Sequence, residues 1–138
     1  MPKTTERRVV IDTGALVSRL LLPGSIPALA VAKAMRESRL LVSRATLMEL
    51  AEVLSRPKFD RYVTIADRRE FLRHLGGIAE MVPVVRQVKV CRDPHDDKFL
   101  EVALNGNGTF IVTGDRDLLV LHPFRGISIL TPARYLAD

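Results

Sequence analysis

A chain of 138 residues, 47% hydrophobic and 27% charged, is long enough for one domain that buries roughly two-thirds of its unfolded surface, and too apolar to stay disordered. One cysteine, Cys91, excludes an intramolecular disulfide and a cysteine-rich zinc site, so a reducing cytoplasmic setting is expected. A net charge of +5 and a pI near 9.9 favour a polyanionic partner, and no apolar run approaches the roughly 20 residues of a membrane span.

Residues 1–7 are polar and basic and lack the pattern of a secretory signal, which predicts a flexible N-terminal segment. Residues 8–11 are β-branched and apolar and stop at Asp12-Thr13-Gly14, a strand followed by a turn. The apolar stretch 15–22, halted by Pro23-Gly24, predicts a short buried helix, with Leu20, Leu21 and Leu22 assigned to the core. Helical spacing over 26–37 leads into a compact apolar strand over 39–43. A further helix over 44–54 is closed by Pro57, because the residue before a proline resists helical geometry.

Residues 65–81 have leucine and isoleucine at three- and four-residue spacing, an amphipathic helix that Gly76-Gly77 could interrupt. The alternating valines of 82–90 predict a strand or extended connector, leading to the acidic run Asp93-Pro94-His95-Asp96-Asp97. A helix begun by His95 or Asp96 buries Phe99, Leu100, Ala103 and Leu104 and ends in Asn105-Gly106-Asn107-Gly108. Then follow a buried strand over 109–113, a short helix over 118–121, turns at Pro123 and Gly126, a strand over 127–130 and a helix over 132–136. Alternation of short apolar strands with helices predicts an α/β fold, a parallel sheet covered on both faces.

Asp12 follows the first strand, Glu49 lies in the first half of the helix after the second, and Asp97 and Asp115 lie near the starts of later helices. In open parallel sheets ligands bind beyond the carboxyl ends of the strands, where such residues converge. Each acid has an ordinary structural role open to it: Asp12 as a turn residue, Glu49 on a solvated helix face, Asp97 and Asp115 as helix caps. Their shared placement favours a metal site instead, because a divalent cation relieves the repulsion among carboxylates. All-oxygen ligands suit Mg²⁺ or Mn²⁺ over zinc, and His74, His95 and His122 have no ligand spacing. Cys91 has no histidine at a spacing that suggests a paired base and is assigned to packing.

These residues, with the segments Val9-Val10-Ile11-Asp12-Thr13, Thr46-Leu47-Met48-Glu49-Leu50, Asp93-Pro94-His95-Asp96-Asp97-Lys98-Phe99-Leu100 and Val112-Thr113-Gly114-Asp115-Arg116-Asp117, make the chain similar to the PIN-domain ribonucleases, especially VapC-like toxins of bacterial toxin–antitoxin pairs. The resemblance covers residues 8–136 and implies a single domain over 1–138, a three-layer α/β/α sandwich on a mostly parallel sheet of about five strands. It also implies metal-assisted phosphodiester hydrolysis of RNA, with Asp12, Glu49, Asp97 and Asp115 as the catalytic, metal-binding quartet and Thr13 and Thr113 in support. Asp117 ranks next, as an aid to a second metal, while Asp93 and Asp96 are assigned to shaping the loop. Gly14 departs from the asparagine of many relatives, so the orientation of Asp12 must come from elsewhere. Arg44, Arg56, Lys58, Arg61 and Arg116 are candidate phosphate contacts. A cognate antitoxin and a homodimer complete what the resemblance implies, while the shortness of the apolar runs predicts no membrane partner.

Two other readings share the first motif. Ile11-Asp12-Thr13-Gly14-Ala15 matches the active-site tripeptide of aspartic proteases, but those are predominantly β proteins. A phosphoaspartate phosphatase requires a second aspartate where Gly14 stands. A noncatalytic RNA- or protein-binding module on the same fold remains the alternative function.

Overall fold

In a computed structural model, residues 6–138 are described. The expected flexible segment 1–7 falls mostly outside them, and Arg7 already belongs to the first strand. Five strands, β1 (Arg7–Ile11), β2 (Ser38–Val42), β3 (Glu80–Met81), β4 (Phe110–Val112) and β5 (Ser128–Leu130), form one sheet in the order β3-β2-β1-β4-β5. All four pairings are parallel, so the helices between strands must cross over the sheet.

Because side chains alternate along a strand, the sheet feeds two separate cores. Val9, Ile11, Leu40 and Val112 pack against α1 (Thr13–Leu21), α2 (Ile26–Glu37), α3 (Arg44–Leu54), α4 (Ile65–Ile78) and α7 (Pro132–Ala137). Val10, Leu41, Ile111 and Ile129 face α5 (Asp97–Asn105) and α6 (Arg116–Leu119). No single helix among the described residues is long and apolar enough to cross a membrane. Leu20 and Leu21, the last residues of α1, pack against the core, whereas Leu22, which follows the helix, is 62% exposed.

The predicted helix over 65–81 is corrected at its end. It runs through Gly76 and Gly77 but stops at Ile78, because Glu80 and Met81 pair with Leu41 and Val42 as β3. Pairing continues only to the Val82 amide, which donates to the Val42 carbonyl at 2.8 Å; Pro83 has no N–H to extend it. The expected strand over 82–90 is therefore an extended connector, the second of the two forms predicted for it.

That connector is held by side chains of α5. Asn105 Oδ1 accepts from the amides of Val85 (3.0 Å) and Arg86 (2.9 Å), and Glu101 Oε2 from Val88 (3.0 Å). Asp97 Oδ1 accepts from Val90 (3.2 Å) and Cys91 (2.9 Å). Residues 97, 101 and 105 are four apart, on one face of the helix, and satisfy amides that have no strand partner.

The end of α5 meets the sheet tightly. A Cβ on Gly106 would lie 2.9 Å from the Val102 carbonyl oxygen and from Val82 Cγ2, and 3.0 Å from Leu41 Cδ1. Gly77, in contrast, is exposed inside α4 with nothing within 4 Å of its would-be Cβ. Gly106→Ala is expected to cost about 1–3 kcal/mol by overpacking, and Gly77→Ala to add up to about 1 kcal/mol through helix propensity. Urea unfolding of both variants checks the opposite signs.

Candidate metal centre

The chain leaves β1 towards β2 on one side of the sheet and later returns to β4 on the other. The carboxyl ends of β1 and β4 thus flank the point where the strand order reverses, the usual position of a ligand crevice in such sheets. Asp12 follows β1 directly, and Thr113, Gly114 and Asp115 follow β4.

A cavity of about 170 Å³ opens there, lined by Asp12, Thr13, Gly14, Glu49, Asp96, Phe99, Asp115 and Leu118. Three of the four predicted quartet acids, Asp12, Glu49 and Asp115, line it, and Asp97 does not. The fourth acid in the cavity is Asp96, assigned from sequence to shaping the loop. The reason is helix phase: neighbouring residues at the start of α5 point about 100° apart. Asp97 faces the connector with Glu101 and Asn105, leaving Asp96 towards the crevice. One carboxylate oxygen from each of Asp96, Asp115 and Asp117 lies within 4.8 Å of the others. Asp117, ranked below the quartet from sequence, is thus in this cluster. Asp93 accepts from the His95 amide at 3.0 Å and pairs with its ring, a loop-shaping role.

Asp12 is fixed from both sides. The Thr113 hydroxyl donates to Oδ2 at 2.6 Å, the Gly114 amide to the same oxygen at 3.4 Å, and the Ala15 amide to Oδ1 at 2.9 Å, which also caps α1. This answers the question raised by Gly14: Thr113, from the neighbouring strand, supplies the orientation that a side chain at 14 would otherwise give. Thr113 Oγ1 in turn accepts from the Asp115 amide at 3.0 Å, tying two acids to one hydroxyl. Asp115 Oδ1 caps α6 by accepting from the Asp117 amide at 2.9 Å.

Glu49 is held differently. The Thr13 hydroxyl donates to Oε2, and Lys98 Nζ donates to Oε1 at 2.5 Å. The α3 helix that carries Glu49 begins with a Ser43–Thr46 capping box, which fixes its first turns. Lys98 was absent from the sequence-derived candidates; its place next to the acidic run was the available signal.

Electrostatics separate these carboxyls. Burial raises the Asp12 pKa, a tendency that hydrogen bonds from Thr113, Ala15 and Gly114 only partly offset. Asp96 is pushed up to about 6, first by burial, then by the proton it can share with Asp115 and by the charges of Asp115, Asp93 and Asp117. Glu49 behaves oppositely: burial pushes it up, but hydrogen bonds from Lys98 and Thr13, with the Lys98 charge, bring it below the ordinary glutamate value. For Asp97 burial likewise acts upward and is outweighed by hydrogen bonds from the Cys91 amide and thiol and the Val90 amide.

The predicted cations are dispersed. None of Arg44, Arg56, Lys58, Arg61 or Arg116 lines the acidic cavity. Arg56 pairs with Glu52 at 3.0 Å, Lys58 sits over the Phe59 ring at 5.1 Å, and Arg44 and Arg61 are exposed. Arg116 is exposed at the start of α6, between Asp115 and Asp117 in sequence.

The donor set fits a hard divalent cation, since it consists of carboxylate oxygens and includes one acid, Asp96, whose carboxyl is pushed up to about 6 by burial and by the neighbouring acids. The Cys91 thiol, beside Asp97, is pushed up to about 12 by burial and by the Asp97 carboxylate. At pH 8 its thiolate population falls about a thousandfold below that of an ordinary thiol. Ellman's reagent is expected to react with the folded protein at least about a hundredfold more slowly than with the urea-unfolded chain, and Asp97→Asn to narrow the gap. Equal rates in native and unfolded protein would contradict the placement of Asp97.

Comparison with known proteins adds the following. The family model described as PIN domain matches residues 8–117. Over 117 residues the chain is 30% identical to an uncharacterized protein of Methanocaldococcus jannaschii, spanning 83% of this chain and 74% of that protein. The fold is similar to that of PAE2754 from Pyrobaculum aerophilum, with a TM-score of 0.60 and 20% identity, covering 96% of this chain and 91% of that one. It is equally similar to VapBC2 from Rickettsia felis, solved bound to a DNA fragment from their promoter, with a TM-score of 0.61, 10% identity and coverage of 90% and 98%.

Proposed function

The chain belongs to the PIN domain family, and from that premise we propose that it is a metal-dependent ribonuclease, the toxin of a toxin–antitoxin pair. The observation that carries this reading is the convergence of Asp12, Glu49, Asp96 and Asp115 on one cavity at the carboxyl ends of β1 and β4, with Asp117 beside Asp96 and Asp115. Similarity of fold to VapBC2 supports an antitoxin as partner, and the net charge of +5 supports an RNA substrate. A homodimer and a cytoplasmic location belong to the same proposal.

Asp96, Asp115 and Asp117 would hold the cation, Mg²⁺ or Mn²⁺. When bound, such an ion makes a water more acidic and stabilises charge on a phosphate. The rest falls to the chain. Water oxygen adds to phosphorus as the P–O bond to the leaving sugar oxygen breaks, that oxygen taking a proton from solvent. The proton of the attacking water passes to solvent water, because Asp96, Asp115 and Asp117 would be taken up by the cation, Asp12 is held by Thr113 and Ala15, and Glu49 is paired with Lys98. Asp12, locked by Thr113 and Ala15, sets a carboxylate at a fixed point of the crevice, where its charge would help to retain the cation.

Cleavage of RNA by the purified protein with Mg²⁺ or Mn²⁺ is expected to fall at least about a hundredfold in Asp12→Asn, Asp96→Asn and Asp115→Asn. Asp97→Asn retains most of its activity, the reverse of what a quartet including Asp97 requires. No cleavage by the native chain under any of these conditions would favour the noncatalytic binding module.

Metal uptake is also expected to depend on pH. Below about pH 6 Asp96 holds a proton that a cation must displace, so apparent Mn²⁺ affinity falls about tenfold per pH unit as pH drops. Above pH 6 the carboxylate is free and the dependence flattens. Calorimetric titration with Mn²⁺ between pH 5 and 8 measures the slope, which Asp96→Asn removes; an unchanged slope in that variant would exclude Asp96 as the titrating ligand.

A further inference from the structure

The acids of the crevice fall into two groups with different partners. Asp96, Asp115 and Asp117 bring oxygens within 4.8 Å of one another, and among the described residues no lysine or arginine pairs with any of them. Glu49 has both oxygens committed: Oε2 to the hydroxyl of the buried Thr13 and Oε1 to Lys98 Nζ at 2.5 Å. The Lys98 and Glu49 side chains are 17% and 27% exposed, so this pair is screened far less than a surface salt bridge.

We propose that Lys98 is a built-in counter-cation for Glu49, so that the crevice takes up one divalent ion at Asp96, Asp115 and Asp117 and excludes a second at Glu49. The inference rests on the metal-site part of the functional reading and adds the number of ions and what limits it. Lys98 is placed for this by α5 itself. The first turn of that helix sends Asp97 to the connector and Lys98 across to Glu49 on α3, about one further step of 100° round the axis. A second divalent ion near Glu49 would have to displace an ammonium already at hydrogen-bond distance and leave it partly buried beside another cation. That arrangement is disfavoured by like-charge repulsion in a region of low screening. Lys98 thereby acts as a positioning residue: it fixes Glu49 and supplies, independently of metal concentration, the positive charge that a second ion would bring.

The test is Mn²⁺ binding to the full chain without RNA, followed by calorimetry and by the electron paramagnetic resonance signal of free Mn²⁺. The native protein is expected to bind one ion. Lys98→Met is expected to bind two, because Glu49 loses the ammonium that holds its Oε1, while Lys98→Arg stays at one. The first site, which lacks Lys98, serves as the folding control in every variant. Two ions in the native chain, one ion in Lys98→Met with its first site intact, or no binding at all would overturn the proposal. The expected stoichiometries without RNA cleavage would overturn the nuclease reading and leave this one standing.

Discussion

A 2.6 Å hydrogen bond from the Thr113 hydroxyl to Asp12 joins the carboxyl ends of the two central strands, and the remaining geometry of the crevice is arranged around it. It exists because β1 and β4 are parallel neighbours in register, with Ile11 opposite Val112, so that the next residue of each strand emerges side by side. The same hydroxyl receives the Asp115 amide, and Asp115 in turn caps the helix carrying Asp117. Three carboxylates are thus placed by one strand pairing and one short helix, without reliance on a long mobile loop. Negative charges brought this close are unfavourable in themselves, and the rigid backbone on either side is what holds them together in the absence of a cation.

Charge within the crevice is uneven as a result. The side built from β4, α6 and Asp96 is rich in acid and poor in positive partners, and it is there that a carboxyl keeps its proton to about pH 6. The side built from α3 is neutralised internally by Lys98. In the proposed function, an anionic substrate would therefore meet one half that needs an added cation and one that already contains its own. The whole-chain charge of +5 is carried largely by exposed arginines elsewhere, among them Arg44 and Arg61. Those residues contribute to attraction at a distance more directly than to contacts within the cavity.

Most of the architecture was legible in the sequence because it depends on patterns that local chemistry enforces. The β-branched run ending at Asp12 and the Thr113-Gly114-Asp115 segment following a buried strand located the carboxyl ends of β1 and β4 correctly. The length of the 65–81 helix was misjudged because Glu80 and Met81 continue the amphipathic rhythm, and only their pairing with β2 makes them a strand. Asp96 and Asp97 could not be separated by spacing or residue type. They are chemically identical and adjacent, and which one faces the crevice is decided by the phase of α5, which the partners of residues 101 and 105 fix from about one and two turns away. Lys98 was passed over for a related reason: a lysine on an exposed-looking helix start acquires a specific role only through Glu49, a residue 49 positions earlier on another helix.

The connector between β3 and α5 illustrates how a segment without regular structure can be metered to a fixed length. Its amides meet acceptors on Asp97, Glu101 and Asn105, which recur at intervals of about 6 Å along the helix axis. Irregular surface segments ordinarily absorb insertions and deletions easily. Here the helix works as a ruler laid against the chain, and gaining or losing one residue would leave several amides facing the wrong mark. The acidic run that follows is delivered to the crevice from the end of this ruled stretch, so the tolerance of the site to changes in chain length is set well outside the cavity itself.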